Sequence, residues 1–280
     1  MPTTPLPPVD VTALVPALAA YARQAVRLHP RPGAPTVADS SLGGPLAWPL
    51  GEPWPYCHPG RWDHTFDGAP HAPVPYVPVL QIYARDVPQL PYPPGTDVLQ
   101  VAWCPFDHDP YSAPVPRVDW RDSAGLDLLA AIPAPHHASP RATVPSPCVV
   151  SPEPVLEYPN WDLPRDLYYA IRSATRHDFD AELSVAPGTK LGGYPSWCQL
   201  PEWPACPSCA TTMTHLATLA SLEHDPGQER WLPVEDRSPT STADRLRQPA
   251  GLMLGDVGSI HVFTCTACPH RPYESVFQNS

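Results

Sequence analysis

Leu42-Gly43-Gly44-Pro45-Leu46-Ala47-Trp48 and Leu191-Gly192-Gly193-Tyr194-Pro195-Ser196-Trp197 are two readings of one phrase: a Leu-Gly-Gly turn with a tryptophan four residues beyond it. Outward from the phrase the order repeats. Glu52-Pro53-Trp54-Pro55-Tyr56-Cys57 answers Glu202-Trp203-Pro204-Ala205-Cys206, and Gly95 to Cys104 answers Gly258 to Cys265 as a β-rich run ending in cysteine. Matched landmarks in register predict two copies of one unit. Paired glycines permit positive φ and close backbone approach, and the tryptophan supplies a large core anchor.

Each copy is expected to open with a helix. Val11, Leu14, Val15, Leu18, Ala22 and Ala25 follow helical spacing over 11–28, with Pro16 tolerable only in the first turn. A second helix is predicted from about Pro164 to Arg176, with Asp166 near its positive end and Leu167, Ala170, Ile171 and Ala174 as its apolar stripe. Val77–Tyr83 and Val98–Trp103 are predicted strands, rich in β-branched and aromatic residues. The fold class is therefore α+β and β-rich: two tandem copies of a helix plus antiparallel-sheet unit, over 1–150 and 151–280. They need not separate cleanly, and one continuous shared sheet is an open alternative. The proline-rich stretch 133–159, with His136 and His137, reads as the linker. Residues 226–250 read as a long polar insertion with at most a short helix around 243–248.

The second copy carries Cys206-Pro207-Ser208-Cys209 and Cys265-Thr266-Ala267-Cys268. A C-x-x-C turn lets two thiolates face one ion, and two such turns supply a zinc tetrahedron. The 55 residues between them, 210–264, exceed the spacing of small fingers, as expected if each knuckle closes a strand hairpin and the insertion fills the gap. One structural zinc per chain is predicted, on Cys206, Cys209, Cys265 and Cys268. A filled set of four cysteines leaves no coordination position for catalysis. The rivals are disulfides, inert thiols or a redox pair. The first copy keeps Cys57 and Cys104 but has Gly60 and Pro105-Phe106-Asp107-His108 at the matching knuckle positions. A second ion on Cys57, His58, Cys104 and His108 competes there with a packed, metal-free hairpin pair.

Composition narrows the function. With 42% hydrophobic residues, nine Trp and eleven Tyr in 280 residues, the chain can bury substantial cores. Its 45 prolines limit long helices and central strands. A net charge of −11 argues against nucleic-acid partners, which demand basic patches. Residues 11–22 lack the basic flank of a signal peptide, and no run is long enough to span a bilayer, so a cytoplasmic location with reduced thiols is expected and no membrane partner. Among common catalytic signatures, G-x-S-x-G, H-E-x-x-H, phosphate loops and dinucleotide fingerprints are missing. His64, His71, His136, His137, His215 and His224 read as surface histidines. Asp107, Asp109 and Asp119 read as a solvated acidic patch beside His108. Lys190, the one lysine among 17 basic residues, reads as a compositional bias toward arginine.

The string Thr189-Lys190-Leu191-Gly192-Gly193-Tyr194-Pro195-Ser196-Trp197, with Cys206-Pro207-Ser208-Cys209, strand Ile260–Cys265 and Cys268, resembles the N-terminal part of programmed cell death protein 2 and its yeast relatives. The doubled layout, over about 41–104 and 189–269, is similar to the bacterial YwqG family, whose members have no agreed biochemical activity. The resemblance implies a β-rich duplicated fold with zinc knuckles and a role in grasping another protein. The eukaryotic relatives are thought to escort a ribosomal protein, and an acidic escort suits a basic client. Ser41 stands where the motif has lysine, and the text after Cys209 departs from that of the relatives. The expected function is a protein-binding module with a protein partner. The alternatives are a metal-dependent hydrolase or transferase using the first copy, and a toxin-immunity protein.

Overall fold

Proline sets the scale of the elements, because each one removes a backbone donor. In the computed structural model, which describes residues 2–58, 72–109, 112–126, 130–237 and 246–279, no described strand exceeds seven residues. In chain order the elements are helix α1 (Val11–Leu14), a 3-10 turn (Pro16–Tyr21), and strands β1 (Arg23–Arg27), β2 (Arg31–Pro32), β3 (Ser41–Leu42), β4 (Tyr56–Cys57), β5 (Val74–Pro75), β6 (Val77–Tyr83), β7 (Val98–Trp103), β8 (Pro116–Arg121), β9 (Cys148–Val149) and β10 (Glu153–Glu157). Helix α2 (Arg165–Ala174) follows, then β11 (Lys190–Gly192), β12 (Thr214–Ala220), β13 (Ser259–Thr264) and β14 (Tyr273–Gln278).

The fold is β-rich and mixed, with few helices and two six-stranded antiparallel sheets, ordered β2-β9-β3-β6-β7-β8 and β10-β1-β11-β12-β13-β14. They are separate sheets, so the continuous-sheet alternative is set aside. Their inner faces meet over one core. Leu42, Leu80, Ile82, Leu99, Val101 and Trp103 from the first pack with Val26, Leu191, Leu216, Leu219, Ile260 and Val262 from the second. The same four-strand meander runs through both, β3-β6-β7-β8 and β11-β12-β13-β14. Each carries a register shift near the start of its second strand, at Pro78/Leu80 and at His215/Ala217.

The halves interleave. Strand β1 lies between β10 and β11 in the sheet of the C-terminal half, while β9 lies between β2 and β3. The stretch 133–159, expected as a linker, therefore supplies two strands. Its partner strands β1 and β2 come from the N-terminal region, which is how a polar, proline-rich segment satisfies its backbone.

Residues 11–28 do not form the single helix that their spacing suggests. The Asp10 carboxylate caps α1, accepting from the Thr12 and Ala13 amides at 3.0 and 3.1 Å. Pro16 then lacks the amide needed to continue the ladder, and the chain tightens and extends into β1. The apolar spacing is used twice over: Val11 and Leu18 pack on Ile171, Phe179 and Leu183 beside α2, whereas Ala25 and Val26 are swallowed by the sheet. The predicted helix near 170 is present as α2, with Pro164 at its N-cap, Asp166 in its first turn and Ile171 buried. It has no counterpart before β3, where only residues 33–40 intervene. The insertion is also not simply a polar loop: Trp231 is buried, its indole donating to the Ala181 carbonyl at 3.0 Å, and Ala250, Leu252 and Leu254 join the main core. Residues 243–245 of the expected short helix lie outside the described residues.

Candidate metal centre

Each knuckle is built at the mouth of a strand pair. Ala205 bridges Thr212, the Met213 amide donates to the Pro204 carbonyl at 2.9 Å, and the six residues between Ala205 and Thr212 form the turn. Inside it, the Cys206 amide donates to the Thr211 carbonyl and the Ala210 amide to the Cys206 carbonyl, both at 2.9 Å. Closing this loop puts Ala210 at φ +57°, a region that side-chain-bearing residues seldom visit. The Ser208 amide points at the Cys206 sulfur, 3.4 Å away, as knuckle amides do toward a thiolate. The second knuckle follows β13 directly. Its Cys265 amide donates to the Pro272 carbonyl at 2.8 Å, and Arg271 folds over it, donating to the carbonyls of Thr266 and Cys268 and, through Nε at 3.1 Å, to Pro91 of the other half.

These turns bring Cys206, Cys209, Cys265 and Cys268 together, with all four sulfurs within 4.8 Å of one another. Cys206 Sγ lies 3.9 Å from Cys268 Sγ, and Cys209 Sγ lies 3.6 Å from Cys265 Sγ. A disulfide would need about 2.05 Å. Four thiolates at about 2.3 Å around zinc stand about 3.8 Å apart, so the spacing and the soft donor set fit a tetrahedral zinc ion. Thr211, through its hydroxyl and its amide, pulls the Cys209 thiol down to about 6, while the neighbouring thiols and burial push Cys268 up to about 12. Four sulfurs this close cannot all carry charge without a cation among them. Packed around them are Trp197, Trp203, Met213, Phe263 and Val276.

In the first half Cys57, Cys104 and His108 also converge, all buried, with their donor atoms within 4.8 Å of one another. His58 does not join them. It follows directly after the end of β4 at Cys57 and is exposed. Gly60, His64 and His71 lie outside the described residues.

Other expectations change. His215 is buried, not superficial: Nδ1 lies 2.8 Å from the Gly192 carbonyl and Nε2 3.0 Å from Thr218 Oγ1, which in turn lies 3.0 Å from His261 Nδ1. Burial, then the Lys190 charge, holds both imidazoles far below their usual range, His261 at about 3. His224 and His136 are half-buried and His137 is exposed, the rings of His136 and His137 lying 4.2 Å apart and tilted by 36°. Asp119 leaves the supposed acidic patch for a pair with Arg117 at 2.8 Å.

Lys190 is no compositional accident, for it is completely buried. Its ammonium sits 2.9 and 2.7 Å from the two oxygens of Glu157, which also accept from the Ala186 amide at 2.8 Å and from the Tyr194 amide. The signal is in the sequence: the chain's one lysine stands immediately before Leu-Gly-Gly. A groove of about 780 Å³ opens beside this pair, lined by Arg23, Gln89, Pro91, Tyr194 and Trp203, with Thr266 of the second knuckle on its wall. Among the described residues, no helix is long and apolar enough to cross a membrane.

No protein-family model matches the chain, and a search of curated proteins also finds no match.

Proposed function

We propose that the chain is a zinc-stabilised protein-binding module, built from two copies of one unit, that works in a reducing cytoplasmic setting as an escort for a basic client protein. The four-thiol cluster carries the reading. With all four sulfurs taken up by one zinc ion, no coordination position would be left for a substrate. What the ion would do instead is stiffen two turns, one of which forms a wall of the groove between the halves.

The duplication is supported by the shared meander and the matching register shifts, and with it the similarity to the YwqG family. The basic client is supported by the net charge of −11. When bound, zinc would supply folding energy and no reactive water. The groove then offers Arg23, Gln24 and Gln89 as exposed contacts over an apolar floor.

The test is co-purification of the untagged full chain from its own cells at low and raised salt. The expected result is one basic protein, released by salt and weakened by Gln89→Arg, which adds positive charge to an exposed groove position. Recovery of no partner protein at either salt overturns the reading.

A further inference from the structure

We propose that Cys57, Cys104 and His108 form a second metal site, which takes a zinc-class divalent ion through two thiolates and one imidazole. The proposal rests on the first half alone and stands whether or not the chain escorts a client.

The three donors come from separate pieces of backbone, each held independently. Cys57 ends β4 and pairs with Val74 of β5; the Tyr76 amide closes the same hairpin on the Pro55 carbonyl at 3.0 Å. Cys104 follows β7 as Cys265 follows β13. His108 is fixed by its backbone bridge to Ala113, its amide donating at 3.0 Å, while the preceding turn is tied down by the Thr143 hydroxyl on the Pro105 carbonyl. Three unrelated anchors deliver two sulfurs and a ring nitrogen to one point.

An ordinary apolar core brings carbon atoms together there. Here the converging atoms are the polarisable donors, and Cys57, Cys104 and His108 are only 2%, 0% and 7% exposed. Cys57 Sγ lies 3.8 Å from His108 Nε2. A sulfur and a nitrogen bound to one zinc at about 2.3 and 2.05 Å stand about 3.6 Å apart. Neither cysteine is in a disulfide. Two thiolates and an imidazole select zinc, cobalt or cadmium over magnesium or calcium, which require oxygen.

The surrounding packing agrees. The second-half cluster is walled by Trp197, Phe263, Met213 and Val276, whereas among the described residues the first-half donors pack with Val74 and Phe106 as buried apolar neighbours, with Tyr76 and Ala138 partly covering them. A satellite core this small gains most from a metal cross-link.

The experiment uses the full chain, purified untagged under reducing conditions, saturated with Zn2+ and freed of excess ion. Zinc per chain is measured for the wild type, Cys104→Ser, His108→Gln and Cys209→Ser. Two ions are expected in the wild type and one in each variant. Replacement by Co2+ adds a readout: thiolate-to-cobalt absorption reports six thiolates in the wild type and falls by a third in Cys104→Ser carrying Cys57→Ser, leaving the second-half signal intact. If first-half variants do not fold, the wild-type cobalt spectrum decides by itself, six thiolates supporting the site and four overturning it. One zinc per wild-type chain, unchanged by His108→Gln, or a Cys57–Cys104 disulfide in place of the thiols, overturns the proposal.

Discussion

The ends of β6–β7 and β12–β13 are the same construction finished in two ways. Both close a strand pair through the proline carbonyl of a Trp-Pro step, Pro55 to Tyr76 and Pro204 to Met213, and both release a cysteine directly after the later strand, β7 or β13. In the second half the hairpin closes over a six-residue turn that has room for Cys209; in the first, residues 58–73 separate Cys57 from Val74. Strand geometry thus places two of the donors in each half. The outer faces differ in the same spirit. Ser41, Gln81 and Gln100 stand in register across the first sheet, where Lys190, Thr218 and His261 stand across the second. The first row is neutral, with Gln100 Nε2 donating to Gln81 Oε1 at 2.9 Å. The second holds a buried cation, and therefore needs Glu157.

The sharpest break in that comparison should come from Cys265→Ser. Loss of one knuckle ligand is expected to release the second-half zinc and cost on the order of 5 kcal/mol or more, seen together as zinc loss and a lowered unfolding midpoint. Stability unchanged in the zinc-depleted protein would mean the ion is not structural. Next comes Lys190→Met, which leaves the Glu157 carboxylate buried without its cation. About 3–5 kcal/mol should be lost in urea unfolding, and a cost under about 1 kcal/mol would show that the pair is solvated.

A smaller effect separates the halves by pH. Glu223 is buried against the Thr189 amide, and burial raises its carboxyl from 4.5 to about 7. The folded chain therefore holds a proton that the unfolded chain releases, and this contribution to stability is complete below about pH 4.5 and lost as pH rises through 7. Glu223→Gln stays neutral throughout, so its stability relative to the wild type should rise by about 2 kcal/mol between about pH 5 and pH 7. Parallel pH profiles would refute the assignment. The smallest change belongs to Ser41→Ala, at the position before the first Leu-Gly-Gly that corresponds to Lys190 before the second. The Ser41 hydroxyl is buried and finds no partner among the described residues, so the variant should stay within about 0.5 kcal/mol of the wild type.

Local chemistry made much of this legible. The Leu-Gly-Gly phrase foretold positive φ, and Gly43, Gly192 and Gly193 adopt it. A Cβ on Gly193 would stand 2.1 Å from a Glu157 oxygen, so the close approach is real as well. Val77–Tyr83 and Val98–Trp103 are strands over the expected residues, and the four knuckle cysteines meet. Spacing within a turn and alternation within a strand are short-range properties, and residue order is enough to state them.

What residue order could not state was which partner each segment would meet. Arg23–Arg27 lies within the helical spacing of 11–28 and becomes a strand because β10 and β11 offer it two ladders. His215 reads as a surface residue and Lys190 as compositional bias until the fold buries both and Glu157 arrives from another strand. Matching the two copies named Cys57, His58, Cys104 and His108 as candidates, and only the fold brings three of those donors together and leaves His58 out. Backbone preference acts over a few residues, whereas burial and charge pairing depend on segments far apart in the chain, so these outcomes belonged to the tertiary structure alone.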